Sequence, residues 1–201
     1  LKILALECST RCGSVALLVG EELAREWPVP AGRAVRAELF RALQEGVGLV
    51  GSVERVVEGM GLGSYNGLRT AVSAAAGLAM SQAAELVPVA SPLAVSDETE
   101  YWYVGDARSG MLHITHVCDG VAVAGPRLST LAEAKTLIGQ GRIPVFSAEP
   151  LPGLDTPFLP GVPQAARLAR IGRRTKPETG VPEPLYLKPP HITTPGSRPR
   201  Q

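Results

Sequence analysis

The chain has 201 residues, enough for one large domain or two small ones that bury about 70% of the unfolded surface. Hydrophobic residues make up 45%, which excludes disorder of the whole chain, and no apolar run approaches the ~18 residues of a membrane helix. The net charge of +1 averages two unlike segments: residues 163–201 carry eight basic side chains against two acids, net +6, and residues 1–162 twelve against seventeen, net −5. A basic end on an acidic body suits a phosphate-bearing or acidic partner, and equally a solvated terminus.

The chain opens on an apolar run without a charged-then-apolar leader, and three cysteines cannot form a paired framework. Both features predict a cytoplasmic, reducing location.

In chain order, residues 2–7 and 14–19 read as apolar strands, and Gly20-Glu21 as a hairpin turn into a third strand over 22–27. Val35, Leu39, Leu43 and Val47 recur every four residues, which predicts an amphipathic helix over 32–50. Residues 54–60 read as a strand, 61–67 as a turn, 68–84 as an Ala-rich helix and 86–90 as a strand. This order, βββαβαβ, resembles a ribonuclease-H-like unit, a mixed sheet with helices against it.

A second βββαβ series follows in shortened form. Strands are expected at 101–106, 111–117 and 121–125, a helix from Ser129 to Ile138, a strand over 142–147 and a last helix over 162–171. Seven of the 18 prolines fall in the last 25 residues, which predicts an extended end. The domains expected are 1–96, a reduced second lobe over 97–188, and a Pro-rich tail over 189–201.

Residues able to carry chemistry are few. The glycines of Gly61-Leu62-Gly63-Ser64-Tyr65-Asn66-Gly67 suit backbone approach to an anion at a helix N-terminus, or simply a tight strand-to-helix turn. Glu7 with Ser9 and Thr10 suits a metal-bound phosphate, or local turn bonding by the hydroxyls. Asp106-Ala107-Arg108 begins the second half in a similar way, with local turn bonds the simpler reading. His113 and His116 lie three apart on a predicted strand and so face opposite ways, and no HxxxH or paired-Cys spacing suits a metal. No catalytic nucleophile stands out. The helix 68–84, with Ala71, Ala74, Ala75, Ala76, Gly77 and Ala79, invites close approach of another helix, or ordinary core packing.

Together these segments resemble the TsaB (YeaZ) family. The stretches that carry the resemblance are Lys2-Ile3-Leu4-Ala5-Leu6-Glu7-Cys8-Ser9-Thr10 with Cys12-Gly13-Ser14, the Gly loop running into Leu68-Arg69 and Gly77-Leu78-Ala79, Asp106-Ala107-Arg108-Ser109-Gly110, and Leu185-Tyr186-Leu187-Lys188. Three positions depart from the family pattern: Glu7 stands where Asp is usual, Leu62 replaces a proline, and Gly32-Arg33-Ala34 lacks a histidine.

The resemblance implies an α/β, actin-like (ASKHA) fold of two ribonuclease-H-like lobes, the second reduced. It implies a non-catalytic subunit in the threonylcarbamoylation of the adenosine next to the anticodon of ANN-decoding tRNAs. The partners implied are a TsaD-type catalytic subunit and a TsaE-type ATPase, which handle ATP and threonylcarbamoyl-adenylate, with tRNA reached through the complex and no membrane involved. No catalytic residue, resident cofactor or metal is expected on this chain, and a homodimer of the chain alone stays open. Candidate phosphate-binding residues are Glu7, Ser9, Thr10, Gly61, Gly63, Ser64, Gly67 and Asp106. Candidate interface residues are Leu39, Leu43, Arg69, Ala71, Ala75 and Leu78. The competing readings are an independent ASKHA-type ATP-dependent enzyme or glycoprotease-like hydrolase, and a tRNA-binding module using the basic tail.

Overall fold

The structure, a computed structural model, describes residues 1–30, 32, 34–61, 65–139 and 142–177, with backbone only for 65 and 66. Strand β1 (Lys2–Glu7) buries both faces: Leu4 and Leu6 lie on one side of the sheet, Ile3 and Ala5 on the other. A strand apolar on both faces belongs in the middle of a covered sheet. It pairs antiparallel with β2 (Cys12–Val19), which pairs antiparallel with β3 (Glu22–Pro30). Helix α1 (Val35–Val50) then crosses to β4 (Arg55–Gly59), parallel to β1, and α2 (Tyr65–Gln82) crosses to β5 (Glu85–Val89), parallel to β4. The resulting order, β3-β2-β1-β4-β5, is the ribonuclease-H-like sheet.

Helices α1 and α2 cover the Leu4 and Leu6 face through Leu39, Ala42, Leu43, Ala71 and Ala75. The Trp27 indole N–H donates to Glu45 at 2.8 Å, tying α1 to β3. After a 3₁₀ turn (Ser91–Ala94) comes a second sheet of β6 (Glu100–Asp106), β7 (Met111–Cys118), β8 (Val121–Thr130), β9 (Val145–Ser147) and β10 (Leu159–Pro160), with α3 (Leu131–Ile138) between β8 and β9. Its order, β10-β9-β6-β7-β8, repeats the first topology strand for strand.

The reduction is specific. Where the first lobe has α2, the second has no helix between β9 and β10. Leu151, Leu154 and Phe158 fill that space against Trp102, Ile114 and Ile138. The fold is therefore α/β and two-lobed, with the second lobe trimmed.

Several boundaries differ from the expectations. α2 begins at Tyr65 rather than 68, so Gly67 sits in its first turn and not in the preceding loop. β8 runs five residues beyond 125. There Gly125 adopts φ +86° within an irregular ladder, and a Cβ would lie 2.4 Å from the Ile114 carbonyl oxygen, so the glycine bends the strand instead of ending it. The cap of α3 is Thr130, not Ser129: its hydroxyl accepts from the Glu133 N–H while Glu133 accepts from the Thr130 N–H, a complete capping box. The strand over 142–147 shortens to β9.

The last helix, α4 (Ala165–Arg174), begins three residues later than the periodicity suggested and packs against the first sheet. Ala165, Leu168 and Ala169 bury against Ile3, Ala5, Ala16 and Val57. A Cβ on Gly172 would come 2.4 Å from a Val57 methyl, so helix and sheet are in close contact there. The chain thus returns to the first lobe, and the segment 165–174 belongs to that lobe's core. The tail over 189–201 lies outside the described residues. Among the described residues no helix is long and apolar enough to cross a membrane.

Candidate functional site

Two regions bring the expected residues together: the ends of β1 and β4, and the outward faces of α1 and α2. At the end of β1, Glu7 is fully buried on the α4 side of the sheet. Its Oε1 accepts the Ser9 N–H at 2.6 Å and its Oε2 accepts the Ser91 hydroxyl at 2.5 Å. The carboxylate lies over Gly59, where a Cβ would come 2.1 Å from Oε2. Only glycine leaves that space.

Gly61 is held equally close, since a Cβ would meet Ser9 Cβ at 2.1 Å and the Ser91 hydroxyl at 2.8 Å. Glu7, Ser9, Gly61 and Ser91 therefore form one compact cluster. Burial raises the Glu7 carboxyl above the usual range, and the bonds from Ser9 and Ser91 oppose that rise. A buried carboxyl with both oxygens already engaged repels a phosphate unless a cation stands between them. The cluster acts as a clasp joining strand end, first turn and inter-lobe segment.

The remaining candidates divide. The Thr10 hydroxyl accepts the Cys12 N–H at 3.2 Å, the local turn bond that was the alternative reading. Asp106 is exposed at the end of β6, and its Oδ1 accepts the Arg108 N–H at 2.7 Å. Arg108, Ser109 and Gly110 follow with φ of +61°, +56° and +73°, a tight hairpin turn. Gly63 and Ser64 lie outside the described residues. Among the described residues no group of three His, Cys, Asp or Glu side chains is arranged to hold a metal ion.

The burial of three polar groups was not expected from the sequence. Glu58, next to Gly59 on β4, is fully buried on the α2 side of the sheet, across from Glu7, and neither carboxylate oxygen has a hydrogen-bond partner among the described residues. Burial first, and the Glu7 charge second, push its carboxyl well above the usual range. The neighbouring Cys8 thiol is pushed up by burial and by the same two carboxyls.

On β7, His113 Nδ1 and Thr115 Oγ1 are also buried without hydrogen-bond partners among the described residues. They share a sheet face with Tyr103, and the two rings of Tyr103 and His113 lie 5.7 Å apart. Burial lowers His113 to about 4, against the charge of Asp106, so its imidazole is neutral at physiological pH. Burial first, and then the charges of Glu7 and Glu149, raise the Tyr103 hydroxyl. An acid directly after the apolar pair Val56-Val57 in the strand expected over 54–60 was the available signal for Glu58; nothing in the β7 pattern marks His113 and Thr115 as unpaired.

The helix faces need a correction. Leu39, Leu43, Ala71 and Ala75 point into the chain's own core, and Leu78 packs against it, so their side chains are covered before any partner arrives. Of the expected set, Arg69 faces outward. The outward stripe of α2 is instead Arg69, Ser73, Gly77 and Met80, with Met80 80% exposed. On α1 it includes Ala37, Phe40, Gln44, Gly48 and Leu49, with Phe40 and Leu49 more than half exposed. The signal was the i, i+4 spacing of Arg69, Ser73 and Gly77, which the abundance of alanine obscured.

No protein-family model and no curated protein matches the chain. Solved structures do. A protein of Pseudomonas aeruginosa described as uncharacterized and similar to the peptidase YeaZ superposes with a TM-score of 0.75 at 18% identity, covering 93% of this chain and 99% of that one. YeaZ from Pseudomonas aeruginosa superposes with a TM-score of 0.64 at 18% identity, covering 86% and 90%. At such identity the likeness is one of fold: this chain shares the fold of these two structures over 93% and 86% of its length.

Proposed function

We propose that the chain is a TsaB-type scaffold subunit. It binds a TsaD-type catalytic subunit through the outward faces of α1 and α2, and so supports threonylcarbamoylation of the adenosine next to the anticodon of ANN-decoding tRNAs. In this reading it works in the cytoplasm, a TsaE-type ATPase joins the pair, and tRNA and threonylcarbamoyl-adenylate are handled in the assembled complex.

The observation that carries the reading is the outward surface of these two helices. Ser73 and Gly77 leave the α2 face nearly without bulk, and a Cβ on Gly77 meets nothing within 4 Å. Phe40 and Leu49 on α1 and Met80 on α2 add exposed apolar area on the same two helices. Small residues together with exposed apolar ones suit a close helix–helix contact, since backbones approach where side chains are short. The YeaZ-like fold and the motif resemblance support a TsaD-type subunit as the occupant.

The test is reconstitution. Modification of an ANN-decoding tRNA by a TsaD-type subunit, TsaE-type ATPase and threonylcarbamoyl-adenylate should depend on adding this chain. Full activity in its absence contradicts the proposal.

A further inference from the structure

Helix α4 buries one side against the first sheet and turns a basic side to solvent. From 165 to 176 the chain carries Arg167, Arg170, Arg173, Arg174 and Lys176 and no acid. Arg167 pairs with Asp97 at 2.6 Å and donates to the Val95 carbonyl, and Arg173 pairs with Glu21 at 2.7 Å. Both acids are largely exposed, and such surface pairs contribute little and exchange readily. Arg170, Arg174 and Lys176 are exposed and make no hydrogen bond or ion pair among the described residues. Arg170 and Arg174 are four residues apart, hence on one face, about 6 Å apart along the axis.

The helix end would ordinarily oppose this charge, because the last carbonyls of a helix carry partial negative charge. Here Arg55 removes that opposition. Its Nη1 donates to the carbonyls of Gly172 at 2.7 Å, Arg173 at 3.1 Å and Thr175 at 3.2 Å, while Glu85 holds the other side of the guanidinium. The carbonyls of Gly172 and Arg173 are thus satisfied by Arg55 and that of Ile171 by the Thr175 N–H, and the exposed end of α4 presents cations.

We propose that this face of α4 binds the phosphate backbone of a structured nucleic acid. Four of the five cations are arginines, whose planar fork matches phosphate oxygens bidentately. Cations one helical turn apart suit a polyanion of regular charge spacing, with no base recognition required. The face lies on the opposite side of the first sheet from α1 and α2. It is thus independent of the protein interface proposed above, and one chain can hold both partners.

The test is fluorescence anisotropy of the full 201-residue chain with a labelled RNA hairpin at 50 and 200 mM salt. The inference expects binding that weakens with salt. Arg170→Glu with Arg174→Glu should weaken it at least tenfold at 50 mM, and Arg170→Gln with Arg174→Gln should flatten the log–log salt slope by roughly 2. Reversal of Arg127, exposed on β8, should leave affinity unchanged. No binding by the wild-type chain, unchanged affinity in both double variants, or tighter binding of labelled polyglutamate than of RNA overturns it. Co-elution with a TsaD-type subunit, run on the same samples, keeps the two proposals separate: association without RNA binding sinks this one alone, and RNA binding through α4 without association sinks only the scaffold reading.

Discussion

The Ser91 hydroxyl donates to Glu7 Oε2 at 2.5 Å, joining the end of the first strand to the segment that leads into the second lobe. The two residues are 84 positions apart and both buried, so the bond fixes the relation of strand end and linker from inside the protein. Removing one partner of a buried hydrogen bond leaves the other group unsatisfied and costs about 1–3 kcal/mol. Ser91→Ala should lower unfolding free energy by about that amount in urea at pH 7. A loss below the resolution of the titration contradicts the clasp.

Glu58 gives the opposite expectation. Its carboxyl is held above the usual range in the fold and has the ordinary value of 4.5 in the unfolded chain, so the folded state binds the proton more tightly. Stability is then undiminished below pH 4.5 and falls as pH rises through the folded-state value. Glu58→Leu removes both the ionisation cost and the unsatisfied group, and should stabilise the protein by about 1–3 kcal/mol at pH 8. The advantage should shrink towards pH 4. A wild-type stability that is flat across this range, or a less stable variant, counts against an unpartnered carboxyl.

Gly77 separates stability from association. It lies mid-helix with open space where a Cβ would go, so Gly77→Ala should stabilise the fold by roughly 0.5–1 kcal/mol. Ala75, two residues earlier, is fully buried in the core, and Ala75→Arg should unfold the protein rather than merely block a partner. Thermal melts of the two variants distinguish these outcomes. A folded Ala75→Arg chain would show that the helix face has been assigned wrongly.

Most of the first lobe was legible because β1 and β2 are largely apolar runs, Gly20-Glu21 marks the turn into β3, and α1 repeats every four residues. Alanine hid the orientation of α2: a helix with small residues on every side has no apolar stripe to read, and only the packed structure separates buried Ala71 and Ala75 from exposed Ser73 and Gly77. The end of β8 was missed because Gly125-Pro126 reads as a stop, whereas the ladder bends there and continues. Return of α4 to the first sheet is a tertiary contact that no local pattern encodes. At the candidate site, Glu7, Ser9 and Gly61 were found from turn chemistry, but Ser91 joins them only through folding. Glu58 was passed over inside an otherwise ordinary strand.

The central claim is that the outward faces of α1 and α2 receive a catalytic partner. Size-exclusion of this chain with a TsaD-type subunit tests it most directly, using Gly77→Arg as the control, because that side chain extends into open space and leaves the core untouched. Co-elution of the wild-type chain and separate peaks for a folded Gly77→Arg chain are expected. Separate elution of the wild-type chain, or co-elution unaffected by Gly77→Arg, would contradict that claim.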